Sequence, residues 1–187
     1  LFPYTTLFRS WLTEIKVESE RLRLRLYQME DVEDALEYLG DMKVMRFIEM
    51  PKDYFAVMEH IQIYRNPENP FIFALEEKET GKTVGQIKFS SKEQRGIYGF
   101  EIVLASKYHK KGYAKEIGEA ILKYFFETLK VHKIYAVTFG ENEASIKLLE
   151  SIGMQREAAL RQERYYYSRW MDELCYGILR EDWETKV

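Results

Sequence analysis

The chain has 187 residues, 46% of them hydrophobic and 15% aromatic, enough for one domain burying about 70% of the surface its unfolded form exposes, and too apolar for a disordered protein. Its 28 basic residues nearly cancel its 31 acidic ones, for a formal charge of −3, so the basic excess of a nucleic-acid binder is missing. No apolar run approaches the roughly 18 residues that cross a bilayer, and the single cysteine, Cys175, has no partner for an internal disulfide, which points to a reducing, cytoplasmic setting.

The first ten residues, LFPYTTLFRS, carry no initiator Met, basic leader or small-residue cleavage site. They resemble translated adapter sequence and read as a non-native or disordered tail, set apart from a single domain over residues 11–187. From Glu20 to Tyr27 the chain alternates at period two, ERLRLRLY, which predicts a half-buried strand with Leu22, Leu24 and Leu26 inward. From Asp31 the period lengthens. Val32, Ala35, Leu36 and Leu39 form one helical stripe that stops at Gly40. A short helix over Met42–Phe47 precedes the break at Pro51, and Tyr54–Tyr64 predicts a third helix with Phe55, Met58, Ile61 and Ile63 turned partly inward. NPENP, residues 66–70, is a turn.

Three strands follow, Phe71–Glu76, Thr83–Ser90 and Gly96–Ala105. Their connections are short, one of them the ETGK turn around Gly81, so they form an antiparallel meander. The longest helix runs from Tyr113 to Lys130, with Ile117, Ala120, Ile121, Tyr124 and Phe125 at helical spacing. Val131–Phe139 is a strand, Asn142–Ser151 a helix closed by Gly153, and the end is a hairpin of Met154–Tyr167 and Trp170–Leu179 that carries Cys175 as a small core residue. This order gives a single α/β domain with a mixed sheet.

The most telling stretch is Tyr98 to Glu116. An apolar strand breaks into a basic loop with one glycine, Gly112, and a helix begins directly after it. Several backbone N–H groups then lack intrahelical partners, and with the helix's positive end they form an anion site suited to phosphate. A single glycine in HKKGYA (His109–Ala114) is weak evidence, because such loops are usually solvated connections. The strand leading straight in, the long amphipathic helix leading out, and a second strand and helix close behind strengthen it. That second helix opens with Asn142 and Ser145, residue types that most often serve as caps.

With these motifs in this order, Arg21–Trp183 resembles the Gcn5-related N-acetyltransferase (GNAT) superfamily, in its subgroup acting on ribosomal-protein N-termini and small, polyamine-like amines. HKKGYA stands at the family's pyrophosphate loop, Q/R-x-x-G-x-G/A. NEASIKLLESIGM (Asn142–Met154) stands at its second cofactor motif, and ALRQERYYYSRWMDELCYGILREDW matches the final hairpin. The resemblance implies acetyl-CoA as co-substrate, its pantetheine paired beside Ile102, Val103 and Leu104 like a short extra strand. It further implies that a main-chain N–H near Val103 polarises the thioester carbonyl. The pyrophosphate would sit on His109, Lys110, Lys111, Gly112, Tyr113 and Ala114, with Asn142 near the pantetheine. Two departures stand out. His109 replaces the usual Gln or Arg, and Leu149 stands where many relatives have a Tyr that protonates the departing thiolate. That role is vacant, taken by water, or filled by Tyr108 or a residue of the final hairpin.

A primary amine resembles lysine, with a pKa of about 10.4, so the site must take a proton from it. Glu101, inside an otherwise apolar strand, is the candidate base, and an ion pair with a Lys or Arg of the next strand is the equal alternative. Relatives often carry their carboxylate two residues earlier, at Gly99, on the same strand face. Glu33, Glu37 and Glu49 lie where the early helices of such folds border the acceptor groove, though Glu33 and Glu37 fit the wet face of a helix as well. At least one of Tyr165, Tyr166 and Tyr167 faces the groove, and Tyr166 is the candidate.

The expected acceptor is a small-molecule amine or a peptide N-terminus, acetylated by direct transfer in a ternary complex. A non-catalytic acyl-CoA-binding module is the alternative. A nucleotide-binding domain fits less well, because GxxxxGK[ST] and GxGxxG are both missing. His60 and His132 have no metal-ligand spacing, so no metal is expected. Trp170, Met171 and Tyr176 suit either a homodimer contact or core packing.

Overall fold

The computed structural model describes residues 15–68, 71–92 and 96–185; the expected tail, residues 1–10, lies outside the described residues. The chain opens with β1 (Leu22–Arg25), a 3-10 turn, α1 (Val32–Leu39), α2 (Met42–Met45) and α3 (Tyr54–Tyr64). The meander is β2 (Ile72–Glu77), β3 (Thr83–Ser91) and β4 (Ile97–Leu104). Then come α4 (Tyr113–Lys123), β5 (Lys133–Phe139), α5 (Glu143–Ser151), β6 (Gln155–Tyr166), β7 (Arg169–Leu179) and α6 (Arg180–Glu184). The seven strands form one sheet in the order β1-β2-β3-β4-β5-β7-β6. Every neighbouring pair is antiparallel except β4 and β5, which are parallel and joined across α4.

Around β4 both faces of the sheet are covered. Alternation along β4 sends Phe100, Ile102 and Leu104 to one face, where they pack with Ile117, Ile121 and Phe125 under α4. It sends Val103 to the other, where Tyr38, Leu39, Val57 and Ile61 of α1 and α3 close over it. β1 is held at the sheet edge by charge as well as by Leu22 and Leu24: Arg25 pairs with Asp31 at 2.7 Å and also with Glu76, which receives Arg23 at 2.6 Å. Among the described residues no helix is long and apolar enough to cross a membrane.

Three expectations need correction. The inward face of α3 is Val57, His60 and Ile61, whereas Phe55 is 79% and Ile63 45% exposed. Apolar residues ring that helix, so spacing alone did not select the buried face. The polar pull on His60 decides it: its ring Nε2 bonds Gln86 Oε1 at 2.9 Å, which also accepts the Tyr27 hydroxyl at 2.9 Å. The long helix keeps α geometry only to Lys123 and widens into a π turn over Tyr124–Thr128. Cys175 is half-buried rather than enclosed. Met171 and Tyr176 belong to the core, and Trp170 is exposed.

Candidate active site

β4 and β5 pair only where Ile97–Gly99 meet Lys133–Tyr135. Beyond that point each stays with its outer neighbour, β4 with β3 as far as Leu104 and β5 with β7 as far as Phe139. The sheet therefore splits, and the split opens into a cavity of ≈1080 Å³ walled by Phe100–Leu104 on one side and Ala136–Phe139 on the other. Ligand sites of small molecules have about this size.

Hydrogen-bond parity fixes which backbone groups face the split. Ala105 N–H donates to the Val84 carbonyl at 2.9 Å, and the β3–β4 register runs without a shift. In such an antiparallel pair alternate residues turn to the partner, so Glu101, Val103 and Ala105 direct their amides at β3. The amides of Phe100, Ile102 and Leu104 face the opening. The amide of Val103 itself is thus committed to β3, and among the main-chain N–H groups near it those of Ile102 and Leu104 are turned to the gap.

At the end of β4 the chain enters the basic loop. The Leu104 carbonyl accepts the His109 Nε2–H at 2.9 Å, which ties the loop to the strand. Lys110 and Gly112 take positive φ, 58° and 82°. Gly112 is the N-cap of α4, and the Glu116 N–H to Gly112 carbonyl bond (3.0 Å) is the first of the helix. The amides of Tyr113, Ala114 and Lys115 precede it and have no helical acceptor. The Tyr113 hydroxyl donates to the Glu77 carboxylate, and that bond, with burial, pushes its pKa up to about 12. Across the cavity Asn142 caps α5, its Oδ1 accepting the Ser145 N–H at 3.2 Å, and Leu149 is buried in the wall.

Glu101 lies on the cavity wall, half-buried, directly opposite Lys88 on β3. Among the described residues it makes no ion pair, and burial raises its pKa despite Lys88, with Glu49 adding to the rise. The room at Gly99 is already taken. A Cβ there would lie 2.7 Å from Tyr135 Cζ, and the Tyr135 hydroxyl bonds Ser90 Oγ at 2.9 Å. A carboxylate on this face of β4 is accommodated at 101 and not at 99.

Of the other expected residues, Ile102, Val103, Leu104, His109, Lys110, Gly112, Tyr113, Ala114, Asn142 and Tyr166 all line the cavity. Lys111 does not; its Nζ lies 5.6 Å from the Tyr108 ring centroid. Glu33 is also off the wall, on the exposed face of α1. Glu49 sits just outside, paired with Lys52 at 2.8 Å, yet near enough to raise Glu101 and, after burial and Tyr167, Tyr166. The Tyr166 hydroxyl is buried and has no hydrogen-bond partner among the described residues. Its ring stacks on Phe139, centroids 5.5 Å apart, and Phe139 meets Phe47 at 5.9 Å. Phe47 and Phe139 carry no signal in the sequence, because each reads as ordinary core until the split brings the segment after α2, β5 and β6 together. No group of three or more metal-ligating side chains occurs among the described residues.

The profile of the acetyltransferase (GNAT) domain matches residues 21–155. An uncharacterised N-acetyltransferase of Bacillus subtilis (strain 168), YnaD, is 30% identical over 170 residues, 89% of this chain and 98% of the relative. A spermidine N(1)-acetyltransferase of Vibrio cholerae is 25% identical over 166 residues, 87% and 95% of the two chains. Among solved structures, a GNAT-family acetyltransferase from Bacillus anthracis superposes with a TM-score of 0.82 at 32% identity, covering 89% and 99%. The fold is also that of a spermidine N-acetyltransferase from Vibrio cholerae solved with CoA and spermine, TM-score 0.74 at 22% identity, covering 88% and 98%. The chain, with its split sheet and single crossover helix, belongs to the GNAT family of acyltransferases.

Proposed function

We propose that this enzyme transfers the acetyl group of acetyl-CoA directly to a small primary amine held in the same cavity. One observation carries the reading: a single cavity holds the unpaired amides ahead of Glu116 at one end and the half-buried carboxylate of Glu101 along its wall. The first suits a diphosphate. The second suits proton removal from an ammonium group, because burial brings a carboxylate nearer the pH at which it must work. Between them the Ile102 and Leu104 amides are placed to pair with an extended pantetheine and to stabilise charge on a thioester oxygen.

In this mechanism the ammonium gives a proton to Glu101, directly or through water. The freed nitrogen attacks the carbonyl carbon, gives up its second proton to water, and the C–S bond breaks as the tetrahedral intermediate collapses to the neutral amide. The leaving group is a thiolate of pKa about 8.5, stable enough near neutral pH to depart without a dedicated acid. Leu149 in the wall is therefore compatible with turnover. Glu101, with Glu49 beyond it, and the rings of Tyr166, Phe139 and Phe47 make the acceptor end suited to a cation. The spermidine acetyltransferase relative favours a polyamine over a peptide N-terminus. Cys175 lies off the cavity wall, in keeping with transfer that uses no acetyl-cysteine, and as an unpaired thiol it suits a cytoplasmic setting.

Thiol release from acetyl-CoA, measured against di- and polyamines, amino sugars and short peptides, tests the proposal. Amine-dependent release, fastest with the polycations, is expected. Saturable CoA binding with no release for any amine would leave an acyl-CoA-binding module instead.

A further inference from the structure

The first turn of α4 holds an acid where the proposed ligand is an anion. Glu116 sits one turn inside the helix, and a carboxylate there competes with a bound phosphate for the same positive helix end. It is not left bare. Arg21, just ahead of β1, places Nε 2.6 Å and Nη2 2.5 Å from Glu116 Oε2, while its own backbone N–H meets Oε1 at 2.8 Å. Ser19 adds a hydroxyl to the same oxygen at 2.6 Å. Burial alone would raise the Glu116 pKa, but these bonds outweigh it and hold the carboxyl below its ordinary range.

The same guanidinium reaches the loop itself. Its Nη1 donates to the Lys111 carbonyl at 3.2 Å, and it stacks over the Tyr113 ring at 4.2 Å. A Cβ on Gly112 would lie 3.4 Å from its Nη2. One planar fork thus neutralises the acid and occupies a loop carbonyl that would otherwise repel an anion.

We infer that Arg21 is a positioning residue for the cofactor loop that acts through Glu116, cancelling its charge so that the α4 amides are open to a diphosphate. This rests on the proposed binding of CoA at that loop. It separates Arg21 from a plain structural tie, because a tie is lost equally when either or both partners go. A charge-cancelling residue behaves otherwise: removing it alone exposes Glu116, and removing both relieves the repulsion.

The test is calorimetric titration of the full chain with CoA, beside steady-state kinetics and melting curves. Arg21→Ala is expected to weaken CoA by about tenfold or more, raising KM for acetyl-CoA with kcat and the amine KM little changed. The double variant Arg21→Ala/Glu116→Ala is expected to recover most of that loss, to within about threefold of the parent. Glu116→Gln, which keeps Arg21, should bind CoA as tightly as the parent or more so, and it carries the test should Arg21→Ala not fold. Equal affinity in Arg21→Ala and the parent, a double variant no better than Arg21→Ala, or a tenfold loss in Glu116→Gln each overturns the inference. A parent chain that binds no CoA overturns the functional proposal beneath it.

Discussion

Glu101 stands between Phe100 and Ile102, faces Lys88, and pairs with no cation among the described residues. Its pKa is raised by burial, so the folded chain holds its proton more tightly than the unfolded chain does. The stability this contributes is present at low pH and is lost as pH rises through the folded value. Glu101→Gln is therefore expected to melt at the same temperature or higher at pH 7, while kcat falls about 100-fold or more and the acid limb of the rate profile disappears. A lower melting point with activity retained would make Glu101 a structural residue. His60 has the opposite sign. Burial, resisted by its Gln86 bond, pushes it down to about 4 from 6.5, so its stabilisation is complete above 6.5 and fades as pH falls towards 4. The change is on the order of 3 kcal/mol, and His60→Gln should flatten the melting temperature across that interval. An unchanged slope would contradict the account of the Gln86 network.

At the scale of elements, the parting of β4 from β5 creates the site, and Gly99 marks where it starts. The Tyr135 ring lies over Gly99 and its hydroxyl bonds Ser90 of β3 across β4, so the last paired residues are closed on that face. Gly99→Val would drive its side chain into Tyr135 and is expected to cost about 1–3 kcal/mol in chemical denaturation, with weaker CoA binding as the split shifts. Full stability in that variant would show that Tyr135 moves freely. The strand–loop–helix unit was readable in the sequence because its determinants are contiguous: an apolar strand, a glycine at positive φ and an amphipathic helix within about twenty residues. The face of α3 was not readable. What buries His60 rather than Phe55 is a glutamine on β3, 26 residues away.

Across the whole molecule the two ends of the cavity differ in the same way. The basic-loop end is built from neighbours in sequence: His109, Lys110, Gly112, Tyr113 and Ala114 line the cavity there, and Lys111 does not. The other end draws on β4, the segment after α2, β5 and β6, so Phe47 and Phe139 carried no local signal, and Glu33 lies off the wall on the exposed face of α1, as the wet-face alternative had it. Even at the legible end, the amide turned to the gap depends on pairing with β3, which periodicity along β4 does not reveal. The central claim is that the backbone ahead of Glu116 grips the CoA diphosphate. Titration of CoA into the parent chain and into Gly112→Val tests it most directly. Gly112 holds φ 82°, and a Cβ there would meet only the Arg21 guanidinium, so a branched side chain disturbs the loop through its backbone. Saturable binding by the parent, weakened about tenfold or more in the variant, is the predicted result. No saturable binding, or affinity untouched by the substitution, would contradict it.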